Sequence, residues 1–238
     1  MERVLRQSRA SVGAVLLIAV AAACWAVTAS RMQGMDMGPG TELGGLGWFA
    51  GVWATMMAAM MLPSLAPLVA RRRPTLETFL FTAGYLLAWI AAGLVAYALF
   101  EGFRSVAPAW LAWDDGGRYV AGGVILAAAL YELTPFKRVC LRHCRNPERG
   151  RPGLTEALGN GVVHGGYCLG CCWALMAALF ALGVMSLRWM IVIATLIAAE
   201  KLLARATVAI YATTALLLVL ALGVALFPGQ LPALTLPS

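Results

Sequence analysis

The sequence has few charged side chains, since only 12% of its 238 residues are Asp, Glu, Lys or Arg. A soluble domain of this length needs a surface in which about a quarter of all residues are charged. The scarcity of charge therefore excludes an ordinary soluble globular protein. Hydrophobic residues make up 61% of the chain instead, and several of their runs reach the roughly 20 residues that cross a bilayer core.

The loops between these runs are too short for a separate soluble domain, so residues 1–238 are interpreted as one integral membrane domain. Each run must be helical, because a lone strand in lipid leaves its backbone polar groups unpaired. The sequence therefore predicts an all-α, polytopic transmembrane helical bundle. It has about seven spans, or six if the first is cleaved as a signal peptide. The predicted spans are residues 12–29 (a first span or signal anchor), 46–69, 79–100, 119–136, 158–183, 189–199 and 206–227.

Basic residues predict the orientation of these spans, since cytoplasmic loops carry an excess of Lys and Arg. With the N-terminus in the cytoplasm of a bacterial inner membrane, the inner segments hold all but four of the 18 Lys and Arg residues. The net charge of +7 is then a topology signal in a chain surrounded by the lipid bilayer, and nucleic acid is not expected as a partner. The four basic residues on the outside are Arg31, Arg104, Arg118 and Arg188.

Cysteine is also scarce, and its spacing is unlike that of a secreted disulfide framework. Of the six cysteines, Cys24 stands alone, two lie in a basic segment after the fourth predicted span, and three crowd into residues 168–172. In a reducing compartment such groups favour metal or redox chemistry over structural disulfides. Thiolate and thioether ligands select Cu(I), and thiolates also bind zinc.

One thiol-rich group lies in the fifth predicted span and comprises His164, Cys168, Cys171 and Cys172. On a helix, positions 164, 168 and 171 share a face, with Cys172 slightly to the side. Polar groups inside a span are candidates for function. The alternative is that these thiols only pack as small apolar side chains.

A second group follows the fourth predicted span and comprises Cys140, His143 and Cys144. If the helix continues past Pro135, these side chains share a face at positions i, i+3 and i+4. Three such ligands suit trigonal Cu(I) or an incomplete zinc site. The alternative is a basic segment at the membrane edge with incidental cysteines.

Methionines form two further groups. Met57, Met60 and Met61, with Met56 beside them, share a face near the middle of the second span, at about the depth of the fifth-span thiols. Flexible apolar packing is the alternative there. The external segment, residues 30–45, contains a fourth candidate group, for metal capture, with lipid-surface contact as the alternative. Its methionines are Met32, Met35 and Met37.

Two glutamates, Glu132 and Glu200, lie at the inner ends of predicted spans. Each is followed by a lysine, Lys137 and Lys201 respectively, which favours ion pairing near the interface. A role in proton coupling is the alternative for intramembrane carboxylates.

Four segments between Trp48 and Lys201 together resemble a bacterial domain-of-unknown-function family labelled "predicted metal-binding integral membrane protein". The resemblance implies a helical membrane fold and metal binding in residues 46–227. The segments are MMAAMMLPS, YELTPFKRVCLRHCRNP, GYCLGCCWALM and TLIAAEK. The positions that match the motif are Met60, Met61, Cys140, Cys144, Cys168, Cys171 and Cys172.

These patterns favour a membrane protein that binds a soft transition metal, preferentially Cu(I) with zinc as the alternative cofactor, for transport or for delivery to a partner. The partner would be a metallochaperone or a membrane cuproenzyme. A membrane thiol–disulfide oxidoreductase is a second hypothesis, since Cys168 and Cys171 form a Cys-x-x-Cys pair. A structural or assembly subunit is the third. We assign no catalytic residue, and an enzyme is the less favoured interpretation.

Overall fold

A computed structural model describes residues 2–32, 45–70, 75–106, 117–147, 153–183 and 186–226. Within these ranges the chain forms eight α-helices and no strand, which confirms the predicted all-α helical bundle. The helices are α1 (Glu2–Met32), α2 (Leu46–Val69), α3 (Leu76–Val106), α4 (Arg118–Glu132), α5 (Pro135–Arg145), α6 (Leu154–Gly183), α7 (Leu187–Leu202) and α8 (Ala206–Leu226).

Five of the described helices contain segments long and apolar enough to cross a membrane, which is compatible with a multi-pass membrane protein. The helices α4 and α5 add a sixth candidate span if the bent pair is counted as one. The span count differs here from the predicted seven. Helix α7 has 16 residues, which is short of the roughly 20 that a bilayer core requires. The five segments are Val12–Met32, Leu46–Val69, Leu76–Gly102, Leu154–Gly183 and Ala206–Leu226.

The fourth predicted span is broken, because α4 ends at Glu132 and α5 begins at Pro135 with a bend of 67°. Proline has no N–H to donate and fits the first turn of a new helix. Thr134 caps that turn, since its Oγ1 accepts the N–H of Lys137 at 3.3 Å. The prediction placed Cys140, His143 and Cys144 on a fourth helix that continues past Pro135, whereas the structure places them in α5, a separate helix.

The chain folds into two compact units. Unit 1 comprises residues 1–31, 45–96 and 142–169, and unit 2 comprises residues 32–44, 97–141 and 170–238. In unit 1, α2 and α3 are joined by a buried hydrogen bond from Trp53 Nε1 to the carbonyl of Trp89, at 2.8 Å. Gly93 makes room for that indole, since a Cβ there would lie 2.1 Å from Trp53 Nε1.

Helices α3 and α6 approach each other closely in unit 1, and glycines on both helices permit it. A Cβ on Gly161 of α6 would lie 2.1 Å from the Phe81 carbonyl oxygen of α3. In the opposite direction, a Cβ on Gly84 of α3 would lie 2.2 Å from the Leu158 carbonyl oxygen. Small residues that let backbones approach are typical of helix contacts in membranes.

In unit 2, α8 packs against both α4 and α7. Gly122 of α4 lies against the backbone of α8, where an added Cβ would be 3.2 Å from the Ala221 carbonyl oxygen. Buried Ile125 and Leu217 contribute to the apolar core of this unit. The helices of unit 2 thus follow the same small-residue packing as those of unit 1.

Candidate metal centre

Three cysteine thiols from α5 and α6 lie close together. The Sγ atoms of Cys144, Cys168 and Cys171 all lie within 4.8 Å of one another. Cys168 and Cys171 are each 1% exposed, whereas Cys144 is half-buried. None of the six cysteines of the chain forms a disulfide bond. The group is therefore a set of three sulfur donors within reach of one small ion.

The local helix geometry accounts for part of this convergence. Cys168 and Cys171 are three residues apart on α6, so they lie on one face of that helix. Cys144 is in the last turn of α5, where the chain is about to leave the helix. Helix α5 begins at Pro135, after the bend of 67° that separates it from α4.

The hydroxyl of Tyr85 is a further polar group at this site, and the sequence analysis did not predict it. Its oxygen lies 3.0 Å from Cys168 Sγ in a buried hydrogen bond between α3 and α6. Tyr85 is only 1% exposed. A buried tyrosine usually hydrogen-bonds through its hydroxyl, so a tyrosine inside the apolar run of α3 was the available signal.

The two histidines of the predicted set lie beside aromatic rings. The imidazole of His164, which is 7% exposed, lies against the rings of Phe81 and Tyr85, with centroid distances of 5.6 and 5.8 Å. His143 stacks on Tyr167 at a centroid distance of 4.4 Å and an angle of 6°. Neither histidine belongs to the three-thiol group, and their role as ligands stays a prediction.

The remaining predicted thiols flank this group. Cys172 is buried, and its Sγ lies 3.4 Å from that of Cys171. Cys140 is buried against α6 in unit 2, where a Cβ on Gly170 would lie 2.6 Å from Cys140 Sγ. Cys140 and Cys172 are not among the three thiols of the group, so their role as ligands also stays a prediction.

The second-span methionines are all buried in α2. Met57 and Met61 are 0% exposed, and Met56 and Met60 are 1% and 3% exposed. Of the external group, Met32 is buried at the end of α1 with 2% exposure. Met35 and Met37 lie outside the described residues. Metal binding by these thioethers stays a prediction.

The donor set of the three-thiol group decides which metal it suits. Thiolates are soft ligands, which favour Cu(I) and zinc over hard ions such as magnesium or calcium. Structural zinc sites are almost always four-coordinate, whereas the group supplies three sulfur atoms. The three sulfur atoms thus form a candidate soft-metal site, whose donors suit either copper or zinc.

The long apolar helices and the three-thiol group together define a helical protein of membrane type with a candidate site for a soft metal. A family model described as "PpoB2: Copper chaperone" matches residues 50–224, which is most of the chain. The chain belongs to this copper chaperone family. No curated protein and no solved structure matches it.

Family membership and the cysteine group both suggest copper binding. The predicted resemblance to a metal-binding family is confirmed at this level. The particular family label drawn from the motifs stays a prediction.

Proposed function

We propose that the chain is a membrane copper chaperone that binds Cu(I) through Cys144, Cys168 and Cys171 and passes it to a partner. The observation that carries the proposal is the mutual approach of these thiols to within 4.8 Å. The match to the copper chaperone family supports copper as the metal. Zinc stays the alternative, since thiolates bind both ions.

Ligand exchange is the proposed route of delivery. Cys144 is half-buried near the end of α5, while Cys168 and Cys171 are buried in α6. A sulfur ligand of a partner would approach Cys144 first and replace the thiols one after another. A metallochaperone or a membrane cuproenzyme would be a partner of this kind.

The other predicted ligands are proposed as transient binding sites that the copper ion occupies before or after the three-thiol site. Their soft or imidazole donors would hold the ion briefly, so that each transfer is an exchange between similar ligands. They are Met57, Met60, Met61, Cys140, His143, His164 and Cys172, with Met32, Met35 and Met37 for capture.

We further propose that the chain lies in the bacterial inner membrane with its N-terminus in the cytoplasm. The distribution of Lys and Arg in the sequence supports this orientation. A reporter that is active only in the cytoplasm should be active when fused to the N-terminus. An inactive but intact fusion would contradict the orientation.

Copper content of the purified protein tests the proposed function. The protein is purified in detergent under reducing conditions, loaded with Cu(I), passed over a desalting column and measured by elemental analysis. We expect stoichiometric copper in the wild type. Replacing Cys144, Cys168 and Cys171 together by serine should remove it, because serine offers no soft donor.

Cys24→Ser is the matched control, since this cysteine is on α1 and outside the three-thiol group. It should retain the copper of the wild type. Equal copper in the triple variant and the wild type would contradict the proposal. Lower expression of the triple variant with unchanged copper per chain would favour a structural role for the thiols.

A thiol–disulfide oxidoreductase is the second candidate function, because the same closeness of three thiols also suits disulfide exchange. This function predicts that rapid alkylation of growing cells traps a mixture of reduced and oxidised chains that differ in gel mobility. The copper chaperone function predicts fully reduced thiols under the same conditions.

A further inference from the structure

Helix α5 has a buried face that attaches it to the neighbouring helices. This face comprises Lys137, Cys140 and Leu141, at positions i, i+3 and i+4. The ammonium of Lys137 contacts the carboxylate of Glu132 on α4 and lies 2.7 Å from Oε2 of Glu200 on α7. One side of α5 is therefore occupied by contacts within the protein.

The opposite side of α5 is exposed and has a basic half and an apolar half. Arg138 and Arg142 are both exposed, and their spacing of four residues places them side by side on the helix. Beside them, Phe136 is 60% exposed and Val139 is 46% exposed. We name these four residues the exposed face of α5.

The length and direction of α5 suit a helix that lies along a membrane surface. Its axis departs from that of α4 by 67°, so α5 runs nearly parallel to the bilayer if α4 crosses it steeply. The 11 residues of α5 extend over only about 16 Å, which is about half of the hydrocarbon core. Exposed guanidinium groups would also be costly inside that core. The boundary between lipid and water suits all of these properties.

The two halves of the exposed face match the two layers that meet at this boundary. Apolar side chains of an interfacial helix enter the acyl layer, while basic side chains remain at the level of the headgroups. An anionic headgroup there offers a phosphate, which a guanidinium binds with charge-assisted hydrogen bonds. An acidic soluble protein would account for Arg138 and Arg142 but not for Phe136 and Val139. Anionic lipid accounts for both halves.

We propose that α5 is an interfacial helix whose exposed face binds anionic phospholipid. Arg138 and Arg142 bind the headgroup phosphates, and Phe136 and Val139 enter the acyl layer beside them. The bound lipid holds α5, which also contains Cys144 of the three-thiol group, against the membrane surface. The proposal requires a chain that lies in a bilayer, and it is independent of copper binding.

Hydrogen–deuterium exchange of the full-length protein in nanodiscs tests the proposal, without added copper. One kind of nanodisc contains phosphatidylcholine alone, and the other also contains anionic phosphatidylglycerol. The amides of α5 should exchange up to about 25-fold more slowly in the anionic nanodiscs, because each basic residue near an anionic surface contributes about fivefold to binding. High salt should reduce this difference. The amides of α8 should exchange equally in both kinds of nanodisc.

The double variant Arg138→Gln with Arg142→Gln should abolish the difference at α5. Arg188→Gln with Arg205→Gln is the matched control, since it removes the same charge from two exposed arginines outside α5. This control should keep the difference of the wild type. Free inorganic phosphate added to the phosphatidylcholine nanodiscs should not slow the exchange, because it has no acyl chains.

Equal exchange of α5 in the two kinds of nanodisc would overturn the proposal. Loss of the difference in the control variant would also overturn it, because net charge rather than the exposed face of α5 would then be responsible. Slower exchange that requires an acidic soluble protein in place of the anionic lipid would assign the face to that partner instead. Each of these results would leave the copper function untouched.

Discussion

At the scale of single residues, the surroundings of Cys168 distinguish it from a cysteine that merely fills space. Its sulfur hydrogen-bonds to the hydroxyl of Tyr85 and lies close to two other thiols. When Cys168 is a thiolate, Tyr85 must be the donor, because a thiolate can only accept. The hydrogen bond then fixes the direction of the sulfur lone pairs and spreads its negative charge.

Tyr85→Phe should weaken Cu(I) binding without preventing folding, because it removes only the hydroxyl. Loss of a hydrogen bond to a metal ligand typically lowers metal affinity about 10–100-fold. Competition with a chromophoric Cu(I) chelator measures the change. Tyr211→Phe, on the exposed face of α8, should leave the affinity as in the wild type. Equal affinities in the two variants would show that the Tyr85 hydroxyl has no influence on the bound ion.

Cysteine spacing is a local signal in the sequence, whereas contacts between distant residues are not. Cys144, Cys168 and Cys171 were in the predicted set because their spacing placed them on helix faces. Tyr85 was not, because its partner is 83 residues away and helical periodicity does not show which helices meet. Lys137 was counted among the inner basic residues and was also expected to pair with Glu132, and the structure shows it buried in contact with both Glu132 and Glu200.

At the scale of helices, glycine decides how closely α3 and α6 pack. Gly161 lies against a backbone carbonyl, which cannot rotate away as a flexible side chain could. Gly159 and Gly166 are on the same helix but have open space where a Cβ would be. The contrast identifies the packing face of α6, which also includes Gly165 against Ala88.

Gly161→Ala should therefore lower the stability of the protein in detergent. Overpacking of a close contact costs about 1–3 kcal/mol, because the helices must move apart. Gly159→Ala is the matched control and should be neutral or stabilising, since alanine favours the helix over glycine. Thermal unfolding followed by circular dichroism compares the two variants. Equal stability of the two would contradict the assigned packing face.

The all-helical fold class was predictable from the sequence, whereas the breaks and the lengths of individual helices were less predictable. Apolar runs alone placed α2 and α8 nearly at their observed bounds. The apolar run through residues 119–136 gave no sign of the break before Pro135, because hydropathy does not depend on the direction of the helix axis. Helix α7 extends from Leu187 to Leu202 rather than 189–199, yet it remains below the length of an ordinary span.

At the scale of the whole molecule, the described helices contain two buried polar sites of different chemistry. One offers three soft sulfur donors, and the other offers two carboxyls around an ammonium. Helix α5 contributes to both, with Lys137 and Cys144 seven residues and about two helical turns apart. Polar groups inside an apolar helical protein are candidates for function, and the three thiols are the group to which a function is assigned.

The coordination of copper in the loaded protein tests the central claim most directly. X-ray absorption at the copper edge reports the oxidation state and the atoms bound to the ion. We expect Cu(I) bound by three sulfur atoms, and this coordination should disappear when Cys144, Cys168 and Cys171 are replaced by serine. A first shell of nitrogen or oxygen, or a sulfur shell unchanged in the triple variant, would contradict it.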